Sequence, residues 1–124
     1  MVLIIGGAYQ GKRAFARQSF GFGEEEIFTC DGPELDLTKP CVDRLELWVR
    51  ACLENGTDPV QYLEARRAQW EDSVLICQDI FCGVVPLGEE NRAWRQTTGR
   101  LCQYLAGQAR QVSRIFCGLE HRLK

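Results

Sequence analysis

The chain has 124 residues, 45% of them apolar and 26% charged, with a net charge of -2 and a pI of about 5.4. These values fit one ordinary globular domain and exclude the basic stripe of a nucleic-acid-binding surface. No stretch is long and apolar enough to span a membrane, and the N-terminal apolar run lacks a basic leader, so a cytoplasmic protein is expected.

Met1 to Ile5 is a short β-rich run that predicts a buried strand. Lys12 to about Phe20 predicts a helix, with Gly21 and Gly23 to stop it. "EIFTC" (Glu26 to Cys30) predicts a second strand, closed by the turn residues Asp31-Gly32-Pro33. "PELDLTKP" (33 to 40) reads as a loop. A helix is predicted from Cys41 to about Glu54, with Leu45, Trp48, Val49 and Cys52 as its apolar stripe and Asn55-Gly56 as its stop. Asp58-Pro59 starts the next helix, the aspartate as N-cap and the proline in the first turn. "SVLIC" (Ser73 to Cys77) predicts a third strand, followed by Gln78-Asp79 and an irregular loop, "IFCGVVP". Glu89 to about Gln108 is the longest helical stretch. Val112 to Cys117 predicts another strand, and "LEHRLK" a short terminal edge strand. The alternation of strands and helices argues for an α/β domain with a mostly parallel sheet, whose ligands gather outside the carboxyl ends of the strands.

Seven cysteines are many for this length, but their number is odd and none has C-x-x-C spacing, and His121 is the only histidine. The spacing argues against a zinc site, and the thiols read as small buried hydrophobes.

The first turn carries more chemistry. In "GGAYQGKR", Gly6, Gly11 and Lys12 match the phosphate-loop pattern G-x-x-x-x-G-K-[ST], and Arg13 does not. Gly6, Gly7, Ala8, Tyr9, Gln10 and Gly11 would turn their backbone N–H groups toward phosphate oxygens, the helix would add its positive end, and Lys12 would bridge the outer phosphates. The alternative is a tight strand-to-helix turn with a solvated lysine. Arg13 stands where a hydroxyl would hold magnesium; a guanidinium has no lone pair to ligate a metal, but it can bind phosphate directly. Asp31 and Asp79 both follow predicted strand ends, and either could hold Mg2+. Each could equally be a turn or capping residue.

"VLIIGGAYQGKRAFA" resembles the opening of the bifunctional adenosylcobinamide kinase / adenosylcobinamide-phosphate guanylyltransferase family of cobalamin biosynthesis. "VLICQDIFCGVVP" (74 to 86) is similar to a second segment of that family, with Gln78 for its asparagine, Asp79 for its glutamate and Phe81 for a glycine. "GRLCQYLA" (99 to 106) and "VSRIFCGLEHRLK" resemble its ending, with Gly99, Arg100, Gln103, Leu105, Ala106, Gly118, Leu123 and Lys124 in step. The resemblance implies a three-layer fold like that of phosphate-loop NTPases, shortened in the middle, with ATP or GTP and Mg2+ as cofactors, a corrinoid as a further ligand, and an oligomer. Lys12, Asp31 and Asp79 would then be the catalytic set.

The family's guanylylated histidine has no counterpart here, since His121 matches no catalytic position. "CVDRLELWVRACLENG" resembles a helix that follows a central strand in the family. On that basis "EIFTCDG" is either the second strand or the central one, and in the latter case Asp31 is the nearer analogue of the metal-binding acid. Three functions follow: a protein that binds a nucleotide or a corrinoid without catalysis, a reduced kinase acting on adenosylcobinamide, or the family fold kept for an unrelated role.

Overall fold

The computed structural model describes residues 1–80 and 88–124. Most of the predicted "IFCGVVP" loop therefore lies outside the described residues. Six strands form one sheet: β1 (Val2–Gly6), β2 (Ile27–Thr29), β3 (Cys41–Asp43), β4 (Val74–Gln78), β5 (Gln111–Phe116) and β6 (Leu119–Arg122). Their order is β2-β3-β4-β1-β5-β6, with every pairing parallel except β5 with β6. β1 lies near the centre, with Val2 beside Val74 and Gln111, and Gly6 beside Gln78.

Side-chain alternation along the strands splits the core into two layers. Val2, Ile4, Cys41, Val74, Ile76 and Ile115 face α1 (Lys12–Phe20), which contributes Ala16 and, at the margin, Phe15 and Phe20. Leu3, Val42, Leu75, Cys77 and Val112 face the other way, onto α2 (Leu45–Asn55), α3 (Pro59–Glu64), α4 (Arg67–Trp70) and α5 (Glu89–Gln108). Trp48, Leu63, Trp70, Leu101 and Leu105 fill that second layer. The result is helix, sheet, helix: the expected α/β architecture with a mostly parallel sheet.

The helix ends follow local chemistry. Gly21 and Gly56 end α1 and α2 in the left-handed conformation, at φ 72° and 69°. The Asp58 carboxylate accepts from the N–H groups of Val60 and Gln61 at the start of α3, as the Asp-Pro pair predicts. One expectation needs correction. The helix predicted from Cys41 begins at Leu45, and Cys41 to Asp43 form β3 instead. Cys41 and Val42 are buried on opposite faces of the sheet, a two-residue alternation too short to stand out in the sequence. Arg44, at φ 57°, makes the break between strand and helix.

That extra strand settles which strand is which. β2 is the sheet edge, and β3 lies between it and β4, leading into α2. "EIFTCDG" is thus the outer strand, and the acid at the end of the inner one is Asp43, not Asp31. Among the described residues, no helix is long and apolar enough to cross a membrane.

Candidate functional site

A parallel sheet aims the carboxyl ends of its strands at one edge, and a cleft of about 460 Å³ opens there. Thr29, Asp43 and Gln78, the last residues of β2, β3 and β4, line it together with Ala8 to Ala14, Arg44 and Glu46. The loop from β1 to α1 forms one wall.

Two glycines of that loop are dictated by local geometry, one by space and the other by its backbone angle. A Cβ on Gly6 would lie 2.6 Å from the Ile115 carbonyl oxygen of β5. Gly11 caps α1 at φ 94°, in the left-handed region, and sits against Gly118. The loop is also tied from outside. The Gln10 side-chain oxygen accepts from the Cys117 N–H at 2.7 Å, and its carbonyl accepts from the Gly118 N–H at 2.8 Å. The Asp79 N–H donates to the Gly6 carbonyl at 2.6 Å. Tyr9, at the tip, is fully exposed.

Lys12 opens α1 and folds back over the loop, its Nζ donating to the Gly7 carbonyl at 2.6 Å. Burial pushes its ammonium below the ordinary lysine range, while Glu46 and Asp43 pull in the other direction. Arg13 turns toward the sheet. Its Nη1 donates to Asp43 Oδ2 at 3.0 Å and to Thr29 Oγ1 at 2.8 Å, and its Nη2 to Glu24 Oε2 at 2.6 Å. Burial opposes the guanidinium charge, but the bonds to Glu24 and Asp43 outweigh it and raise the Arg13 pKa. Arg17, one turn on, also pairs with Glu24 at 2.8 Å.

Two further carboxylates enter the cleft from β3 and α2. Asp43 is nearly buried, and its second oxygen accepts from the Arg44 N–H at 2.7 Å. Glu46 is buried in the first turn of α2, its Oε1 accepting from the Gln78 N–H at 2.8 Å. Its carbonyl accepts from the Trp94 indole at 2.8 Å, which ties α5 to the same corner.

The expected site residues are therefore only partly brought together. Ala8 to Arg13 line the cleft, and Gly6 and Gly7 lead into it. Asp31 is exposed beyond the edge strand, and neither Asp31 nor Asp79 is among the lining residues. His121 lies exposed on β6, opposite Arg114, and does not line the cleft either. The sequence reading missed Asp43, Arg44 and Glu46. Their signal was the run Cys41-Val42-Asp43, an apolar pair followed by an acid, as in "SVLICQD". Among the described residues, no three His, Cys, Asp or Glu side chains cluster in a way that could hold a metal.

A family model of cobinamide kinase / cobinamide phosphate guanyltransferase matches residues 33–123, nearly three quarters of the chain. The chain belongs to that family. The match runs from the loop before β3 into the C-terminal strands, so it takes in Asp43, Arg44, Glu46, Gln78 and Asp79. It passes through the middle of the chain and begins after the Gly6–Lys12 loop. The match therefore does not bear on the phosphate-loop reading. A search of curated proteins returned no match.

The donor set at Asp43 does not suit the magnesium ion that the family resemblance implies. One Asp43 oxygen is engaged by the Arg13 guanidinium and the other by a backbone N–H. The side chain following Lys12 offers donors and no lone pair, whereas Mg2+ demands oxygen ligands.

Proposed function

We propose that the cleft binds the phosphates of a nucleotide, ATP or GTP. The observation that carries this reading is the β1–loop–α1 turn itself. It sits at the carboxyl edge of the sheet, with Gly11 left-handed at the helix start and Lys12 lining the cleft. A helix N-terminus with its backbone donors and a lysine is a ready anion site. Arg13 and Arg44 add positive charge to the same walls.

Family membership favours a second reading, in which the bound nucleotide gives a phosphoryl group to cobinamide. Here the loop and Lys12 would hold and orient the phosphates, and Glu46, a buried carboxylate lining the cleft, would face the acceptor. Guanylyl transfer through a histidine is not part of either reading, because His121 lies off the cleft.

A thermal-shift experiment tests the binding. A nucleotide at a hundred times its Kd stabilises by about 2.7 kcal/mol, which raises the Tm of a chain this size by roughly 10 °C. The Lys12→Ala variant should fold, melt close to the parent and lose that shift. A parent that shifts with neither ATP nor GTP, or a Lys12→Ala variant that shifts as much as the parent, would show that the loop is only a turn. Turnover of cobinamide in the same mixtures would favour the kinase; binding without turnover would leave the binding reading alone.

A further inference from the structure

We propose that Arg13 is the resident cation of the cleft, and that the site takes a nucleoside phosphate without a divalent metal. This inference rests on the nucleotide reading above and says what form of ligand the cleft accepts.

The argument begins with position. Arg13 is the second residue of α1, directly after Lys12, so its side chain leaves the helix where that helix meets the cleft. Its guanidinium does what a bound cation would do there, neutralising the nearly buried Asp43 at 3.0 Å. Thr29 Oγ1 and Glu24 Oε2 complete a three-point hold. Arg17 steadies Glu24 from the next turn.

The hold leaves capacity for a ligand. A guanidinium carries five N–H donors, and three are taken by described residues. The remaining two can meet a phosphate oxygen, in the planar geometry that makes arginine a good phosphate partner. Charge points the same way. The lining holds Lys12, Arg13 and Arg44 against Asp43 and Glu46, three cations to two carboxylates. A divalent ion added to this set must displace Arg13 from Asp43 or sit beside a fixed positive charge. A metal-free polyphosphate needs neither change.

Calorimetric titration of the full chain with ATP and with GTP, in EDTA and in excess MgCl2, tests this. The parent should bind with affinities that agree within about threefold between the two buffers. Arg13→Ser should lose about tenfold or more in EDTA and recover it on adding magnesium, because Asp43 then lacks its cation. A parent whose affinity falls about tenfold or more in EDTA overturns the proposal. Heat from neither nucleotide in either buffer overturns the nucleotide reading itself, an outcome distinct from metal dependence. Should Arg13→Ser not fold, the parent's two titrations decide together with a second variant, Arg13→Lys. That variant should stay metal-independent but bind more weakly, having lost the paired donors.

Discussion

Replacing Asp43 by alanine should destabilise the fold and should do so largely through Arg13. The carboxylate accepts from Arg13 at 3.0 Å and from the Arg44 N–H at 2.7 Å. Asp43 is 9% exposed and Arg13 is 33% exposed, so the pair is only partly screened by water. A hydrogen bond to a charged group is worth about 1.5–3 kcal/mol. Arg13 keeps Glu24 and Thr29 after the change, which holds its share to the lower end, about 1.5 kcal/mol. The stranded Arg44 N–H adds about 1 kcal/mol. The sum is about 2.5 kcal/mol, or a fall in Tm of roughly 10 °C for a chain of this length. Urea unfolding followed by tryptophan fluorescence would measure it, since Trp48 and Trp70 are buried in the core. Asp43→Ala, Arg13→Ala and the double variant form a cycle, whose coupling should be about 1–1.5 kcal/mol. Additivity within about 0.3 kcal/mol would refute the reasoning, because Arg13 would then not rest on Asp43 in solution.

Gly6→Ala should cost about 1–3 kcal/mol, because its Cβ meets the backbone oxygen of Ile115, and it should abolish the nucleotide-induced shift in Tm. Gly21→Ala is the contrast: the space is open and only the left-handed φ is strained, so about 1 kcal/mol is lost and nucleotide binding is kept. Alkaline pH should also unfold the protein. Burial pushes the thiols of Cys30 and Cys41 up to about 12 and that of Cys52 to about 11, from an ordinary value near 9. Above pH 9 the unfolded chain therefore releases protons that the folded chain keeps, so stability is full below 9 and falls as pH rises toward the folded values. Denaturant midpoints measured across that range should decline, and Cys41→Ala should make the decline shallower; equal slopes would contradict the burial argument.

The strong patterns were legible from the sequence and the weak ones were not. α1 could be placed from Lys12 to Phe20 because glycines bracket it, and α3 because Asp58-Pro59 is a start signal with a mechanism. β3 was absorbed into a helix because three residues show no usable period, and Leu45, Trp48, Val49 and Cys52 impose a helical one immediately after. That single misreading also hid the acid of the cleft. With β3 missing, the strand-end aspartates in view were Asp31 and Asp79, and neither lines the cleft. Which residue Arg13 would meet was out of reach, because Asp43 and Glu24 lie 30 and 11 residues away and converge only through the sheet.

The two bonds from Gln10 to the turn between β5 and β6 bear on how the protein folds. The partners of one bond are 107 residues apart in sequence, so the loop cannot be held in its final shape by its own neighbourhood. Contacts of such separation form only after much of the chain has closed on itself. The loop from β1 to α1 is thus completed late in folding, when the hairpin docks. Shortening or loosening the hairpin should show first as a loop that fails to set, in a protein whose central strands are otherwise in place.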